Sequence, residues 1–192
     1  MKYGFDLDDT LTDTANVIND YAIRFDKEYL KRKGNFKTIS NAKDYYYFAD
    51  ALDWNKENIK SFFEVYYLDI LKAVKIKPFV KETLKTLKEK NNEIYIITSR
   101  RKRDDNIVET ISKEWLANNE IQYDEIFINI KEKSKIINRL NIDIFIDDSY
   151  NNCVEVKENT DAKVYMIETT FNKSIHDKNI SKIKNINELL KN

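Results

Sequence analysis

Glycine is almost missing from this chain of 192 residues: Gly4 and Gly34 are its only two, and they lie far apart. Loops that cradle phosphates with backbone amides need several glycines close together. P-loop kinases and nicotinamide dehydrogenases are therefore excluded, and any phosphate bound here must meet side chains, a cation and helix N-termini. Cysteine is represented by Cys153 alone, which rules out an intramolecular disulfide and a thiolate metal knuckle. The single histidine, His176, lies in the polar stretch NKSIHDK. It reads as a solvated surface residue, not as the centre of a Ser-His-Asp triad. No apolar run approaches the roughly 20 residues that span a bilayer, and the opening MKYGFDLDDT reaches acids by Asp6, unlike a signal peptide. A cytoplasmic location without a membrane partner is the expectation. A charge excess is also lacking: 33 basic residues balance 33 acidic ones, which argues against polymeric nucleic acid as a partner.

What is present alternates. KYGFDLD near the N-terminus, EIYIITS at 93–99, DEIFIN at 124–129, DIFIDD at 143–148 and KVYMIE at 163–168 are short, β-rich and near-continuously apolar. Such runs suit strands of a parallel sheet buried on both faces. Helical spacing appears between them: Val80, Leu84 and Leu87 after Pro78; Ile107, Ile111 and Trp115; Ile136, Ile137 and Leu140; and finally NINELLKN. The alternation predicts an α/β fold, a Rossmann-like doubly wound parallel sheet. Residues 14–77 interrupt it. They read as a helical insert, too long for an ordinary loop and rich in aromatics: Tyr45, Tyr46, Tyr47, Phe48, Trp54, Phe62, Phe63, Tyr66 and Tyr67. The expected organisation is a core of 1–13 and 78–192 carrying a cap subdomain at 14–77. Most of the aromatics are expected to pack the insert's own small core.

Three strand ends carry chemistry. The first runs into Asp6-Leu7-Asp8-Asp9-Thr10, the second into Thr98-Ser99-Arg100, the fourth into Asp147-Asp148-Ser149. Open α/β sheets bind ligands outside the carboxyl ends of their strands, so parallel neighbours would bring these residues into one crevice. Clustered Asp6, Asp8, Asp147 and Asp148 repel one another unless a cation lies among them, and a few carboxylates with room for water favour Mg²⁺. A carboxylate nucleophile beside such an ion suits phosphoryl transfer. Asp6 is the candidate nucleophile and Asp8, two residues on, the candidate general acid and base. Thr98 and Ser99 offer hydroxyls to phosphate oxygens. Lys133 of KEKSK is the chosen phosphate-binding lysine, with Lys131 and Lys135 as alternates.

At these residues the chain resembles the haloacid dehalogenase superfamily of phosphohydrolases, whose four signatures stand here as FDLDDTL, IITS, the lysine of KEKSK, and IFIDD. The resemblance implies Asp6 as nucleophile, Asp8 as general acid/base, Thr98 and Lys133 on the phosphate, and a Mg²⁺ shell of Asp6, the Asp8 backbone carbonyl and Asp147 or Asp148. Asp9 stands where many members carry glycine. The insert after the first motif, the TSR and the IDD ending are similar to the deoxyribonucleotidase-like branch, which implies a nucleoside monophosphate as substrate. Aromatic rings in the insert would suit a stacked base. A phosphatase of another small metabolite such as a sugar phosphate is the alternative. A phospho-receiver is the remote one, since its acidic pair comes early and its phosphorylated aspartate ends a middle strand, where Thr98 stands here. A non-catalytic binding module has no support from residues that are all of catalytic type.

Overall fold

A computed structural model of the chain describes residues 1–37, 47–102 and 105–191. Tyr45 and Tyr46 of the aromatic insert lie outside the described residues.

Six parallel strands form the centre: β1 (Lys2–Phe5), β2 (Glu93–Ile97), β3 (Glu125–Phe127), β4 (Ile144–Asp147), β5 (Lys163–Ile167) and β6 (Ser181–Ile183). Their order is β3-β2-β1-β4-β5-β6, with β1 paired to both β2 and β4. The order reverses beside β1, and the crevice at such a switch point is where an open α/β sheet binds its ligand. All four residues of β4 are buried, as expected for a strand covered on both faces. The doubly wound parallel sheet expected from the alternation is the one observed.

Several boundaries differ from the expectation. β1 stops at Phe5, because Leu11 and Thr12 both return their backbone N–H to the Leu7 carbonyl at 3.0 Å. This turn passes through Asp9 in the left-handed region, φ 54°, a conformation that suits glycine better than a residue with a side chain. Gly4 is required for a different reason: a Cβ there would lie 3.1 Å from Phe145 and 3.3 Å from Ile142, so the central strand can pack closely against its neighbours. β6, a helix at Tyr150–Asn159 and the six-residue 3₁₀ helix Ile186–Lys191 add to or replace expected elements. The 3₁₀ helix stands where NINELLKN suggested an α-helix.

Between β1 and the first helix of the alternating region the described chain forms α1 (Thr14–Glu28), α2 (Tyr47–Ala51) and α3 (Lys56–Ala73). A reciprocal cap starts α3, with Asn55 and Asn58 each accepting the other's backbone N–H. Phe25, Phe48, Trp54 and Phe62 form a tight ring cluster, Trp54 lying 5.2 Å from Phe62 and 5.3 Å from Phe25. Beneath it Asp26 is buried, accepting from the Trp54 indole at 2.8 Å and the Gly34 amide at 2.9 Å. Phe48, Trp54, Phe62 and Tyr66 are thus used for packing, but in a cluster continuous with the core of the sheet and not in a separate core of the insert. The helices α4 (Val80–Glu89), α5 (Ile107–Asn118), α6 (Lys133–Leu140) and α7 (Tyr150–Asn159) complete the alternation.

Candidate active site

Asp6 continues the line of β1, donating its backbone N–H to the Ile146 carbonyl at 2.9 Å. Its carboxylate thus opens at the carboxyl edge of the sheet, beside the end of β4. One oxygen each of Asp6, Asp147 and Asp148 lie within 4.8 Å of one another, and all three residues are buried. Lys133, the first residue of α6, enters this cluster with no solvent exposure. Its ammonium donates to Asp6 Oδ1 and, at 2.6 Å, to Asp147 Oδ2. Exposed Lys131 stays outside the cluster, and Lys135 pairs with Glu132 at 2.7 Å on the surface. Glu155 on α7 supports this arrangement from behind. Its carboxylate accepts from both the hydroxyl and the backbone N–H of Ser134, so it holds the first turn of α6, where no local side chain does so.

Asp147 and Asp148 have different surroundings. Asp147 Oδ1 accepts from the Ser149 amide at 2.8 Å and from Asn152, while its other oxygen takes Lys133 and a second Asn152 contact. Among the described residues the Asp148 carboxylate has a single long contact, from the Thr10 hydroxyl at 3.5 Å, and it borders the cleft. Asn172 on the segment after β5 is buried and donates to the Asp148 and Ile167 carbonyls at 2.7 and 2.8 Å, pinning the β4 loop to the end of β5.

Asp8 turns away from the three acids. Arg100 Nε donates to Asp8 Oδ2 and Nη2 to Oδ1, both at 2.8 Å, and the Thr14 hydroxyl also donates to Oδ1 at 2.8 Å. Thr98 is buried at the end of β2, and its hydroxyl accepts from the Arg100 amide at 3.3 Å. Ser99 borders the same cleft, with its hydroxyl donated to the Ile130 carbonyl at 2.8 Å. The structure thus gathers every candidate at one end of the sheet: Asp6, Asp8, Thr98, Ser99 and Asp148 border the cleft, and Lys133 and Asp147 lie wholly buried beside Asp6. Arg100, Thr14, Asn152 and Asn172 are additions. Arg100 carried a usable signal, a charged residue directly after an apolar strand and its Thr-Ser. The two asparagines carried none.

Charge follows from burial. Burial pushes the Asp6 carboxyl up to about 7, with Lys133 opposing and Asp147 and Asp8 adding to the rise. Asp148 is likewise raised by burial, then by Asp147. Burial works against the Lys133 charge, yet Asp147 and Asp6 raise its pKa above the ordinary lysine value. Burial also works against the Asp8 charge, and the Arg100 guanidinium overrides it and holds Asp8 below the usual carboxylate range. Three buried acids sharing one lysine leave unbalanced negative charge, and all-oxygen donors suit a hard divalent cation. The residues present therefore fit such an ion.

A cleft of about 1180 Å³ rises from these acids, bordered by Phe63 and Tyr67 of α3, by Phe171, and by Thr98 and Arg100. Tyr67 joins α3 to the loop after β2, its hydroxyl accepting the Arg101 amide at 2.8 Å. No described helix is long and apolar enough to cross a membrane.

An open parallel sheet with a lysine and clustered carboxylates at its switch point defines an α/β enzyme with an acidic centre. A sequence profile of the haloacid dehalogenase-like hydrolases matches residues 4–113. A nucleotidase from Clostridium acetobutylicum is 31% identical over 187 residues, covering 96% of this chain and 88% of that protein. The chain belongs to the haloacid dehalogenase-like hydrolase family. Solved structures agree on the fold. A predicted phosphatase from Clostridium acetobutylicum superposes with a TM-score of 0.67 at 17% identity, covering 99% of this chain and 96% of that one. A predicted phosphoglycolate phosphatase from Haemophilus somnus gives 0.63 at 17% identity, covering 98% and 96%.

Proposed function

We propose that this hydrolase is a Mg²⁺-dependent phosphomonoesterase that works through an aspartyl-phosphate on Asp6, with nucleoside monophosphates as substrates. The observation that carries the reading is the placement of Asp6 and Asp148 at a cleft with aromatic walls, with Lys133 and Asp147 buried directly against Asp6. The clostridial relative's designation as a nucleotidase supports the substrate class.

Asp6 attacks phosphorus while Thr98 and Ser99 face the phosphate oxygens and Lys133, steadied by Asp147, brings positive charge to them. Asp8, which Arg100 holds as a carboxylate in the free protein, takes up a proton as the phosphate dianion is bound beside it, gives it to the departing oxygen, and then takes the proton of the water that hydrolyses the acyl phosphate. Dividing one difficult displacement into two is the gain from a covalent intermediate. Asp6, Asp147 and Asp148, with the Asp8 carbonyl, would hold the Mg²⁺. When bound, the ion neutralises the phosphate dianion and the charge that develops during transfer. Residues 14–77 act as the cap over a core of 1–13 and 78–192. Their α3 rows Ile59, Phe63 and Tyr67 along the cleft at four-residue spacing, which gives a base rings to stack on.

Steady-state hydrolysis by the purified chain with Mg²⁺ tests the reading, across nucleoside monophosphates, sugar phosphates and p-nitrophenyl phosphate. Nucleoside monophosphates are expected to show the highest kcat/KM, and Asp6→Asn to lose at least about 10³-fold in kcat. Preference for a sugar phosphate over every nucleotide would move the assignment to the alternative phosphatase. Equal turnover by Asp6→Asn and wild type would remove Asp6 as nucleophile.

A further inference from the structure

Arg100 has its side chain buried to within 1% of full enclosure, although it borders the cleft. Each side-chain nitrogen has an acceptor, leaving one further N–H on each of Nη1 and Nη2. Nε and Nη2 take the two oxygens of Asp8, each at 2.8 Å, and Nη1 donates to Ser112 Oγ at 2.9 Å. Ser112 is wholly buried inside α5 and passes its own hydrogen to the Val108 carbonyl at 2.7 Å. The guanidinium is therefore fixed in orientation by a helix, and its planar fork in turn fixes the plane of the Asp8 carboxylate. Thr14 closes the arrangement from α1. The fork is taken up by the Asp8 carboxylate.

We propose that Arg100 is the positioning residue for Asp8, aiming the carboxyl that exchanges a proton with the leaving oxygen and making no contact with the substrate phosphate. This rests on the phosphomonoesterase reading above. Asp8 Oδ1 has two donors, Nη2 of Arg100 and the Thr14 hydroxyl, whereas Oδ2 has one. Oδ2 is thus the oxygen with capacity for the travelling proton, which it takes from solvent once a bound phosphate dianion offsets the pull of Arg100. In the first half-reaction the bond from phosphorus to the ester oxygen breaks as the bond to Asp6 forms, and the ester oxygen takes the proton from Asp8. In the second, water oxygen bonds to phosphorus, the bond to Asp6 breaks, and the water proton goes to Asp8. Arg100 gives up no proton in either half.

The consequence is selective. An alkyl leaving group, such as the 5′ oxygen of a nucleoside, needs a proton to depart, whereas p-nitrophenolate departs as a stable anion. Wild type, Arg100→Gln, Ser112→Ala, Asp8→Asn and the Arg100→Gln/Asp8→Asn double variant are to be assayed with Mg²⁺ on p-nitrophenyl phosphate and on the best alkyl monoester of the panel. Arg100→Gln is expected to lose about 10²-fold in kcat on the alkyl ester and less than about fivefold on the aryl ester, the size of a general acid's contribution. KM should stay within about threefold, and the double variant should lose no more than Asp8→Asn alone, as residues acting as one unit do. Equal losses on both esters, additive losses in the double variant, or a KM raised about tenfold with kcat retained would each overturn the proposal. Should Arg100→Gln not fold, Ser112→Ala keeps the charge and decides by the same ratio: a selective alkyl loss supports the proposal, and unchanged rates on both esters overturn it. A wild type that cleaves p-nitrophenyl phosphate and sugar phosphates but no nucleotide removes the nucleotidase assignment and leaves this ratio measurable. A wild type that cleaves no ester removes both.

Discussion

Among the described residues, Lys133 is one of the largest fully buried side chains and the only lysine of that group. Taking an ammonium out of water costs several kcal/mol, and pairing recovers that only where the geometry is good. Asp6 and Asp147 supply the pairing, and the proposed role on the phosphate would account for a charge held here at some cost to stability. A different residue pays a cost without a visible return. Phe79, just before α4, has φ 67° and is half exposed. A bulky side chain in the left-handed region costs of the order of 1–2 kcal/mol, and burial here returns little. Phe79→Gly is expected to raise stability by about 1 kcal/mol, read as the shift in urea midpoint at unchanged slope; an unchanged or lower midpoint would contradict it. Sequence patterns reveal which residue types are present, but three lysines in KEKSK look alike on paper. Only the direction of the first turn of α6 separates Lys133 from its exposed neighbours.

At the scale of elements, α6 and α7 pack side by side, and Glu155 ties them together. Its two contacts to Ser134 satisfy the start of a helix whose own preceding residue, Glu132, supplies no cap. Hydrogen bonds to a charged group contribute about 1.5–3 kcal/mol, so Glu155→Ala should lower stability by about 2 kcal/mol in urea unfolding. A loss below about 0.5 kcal/mol would show that α6 is held by other means, since that is the ordinary range for surface changes. Five of the six strands were legible from near-continuous apolar runs, which burial on both faces demands of β1, β2, β4 and β5. α7 was not, because YNNCVEVKEN buries only Cys153 and Val156 and shows too little apolar periodicity. β6 was not, because its three residues, Ser-Lys-Ile, bury only the last.

At the scale of the whole molecule, the sheet brings together acids from both halves of the chain, and their burial makes stability depend on pH. Asp6 and Asp9 are pushed from 3.8 to about 7 by burial, and Asp148 is raised as well. A carboxyl raised in the folded state binds protons more tightly there than in the unfolded chain. Its stabilisation is complete below the unfolded value and is lost as pH rises towards 7. Asp8, lowered by Arg100, has the opposite sign, and its contribution is lost only under more acidic conditions. The melting temperature of chelator-treated protein should therefore fall between pH 5 and pH 7.5. Mg²⁺ should restore it at pH 7.5 by about 5 °C when present at 100 times its dissociation constant, and by less at pH 5, where protons compete. An equal Mg²⁺ shift at both pH values, or none at either, would place the acids outside any shared cation site.

The residues by themselves determined the architecture class and the chemical vocabulary of the site. Near-continuous apolar runs specify buried parallel strands, and almost no glycine leaves carboxylates, hydroxyls and lysine to do any phosphate chemistry. Only tertiary structure decided which lysine enters the cluster, that Asp8 is gripped by Arg100, and which rings face the cleft while others pack inside. Those choices depend on directions in space between segments up to 141 residues apart, as for the bond from Lys2 to Asp143. Local periodicity carries no such information, because it records which face of an element is buried and not what that face meets.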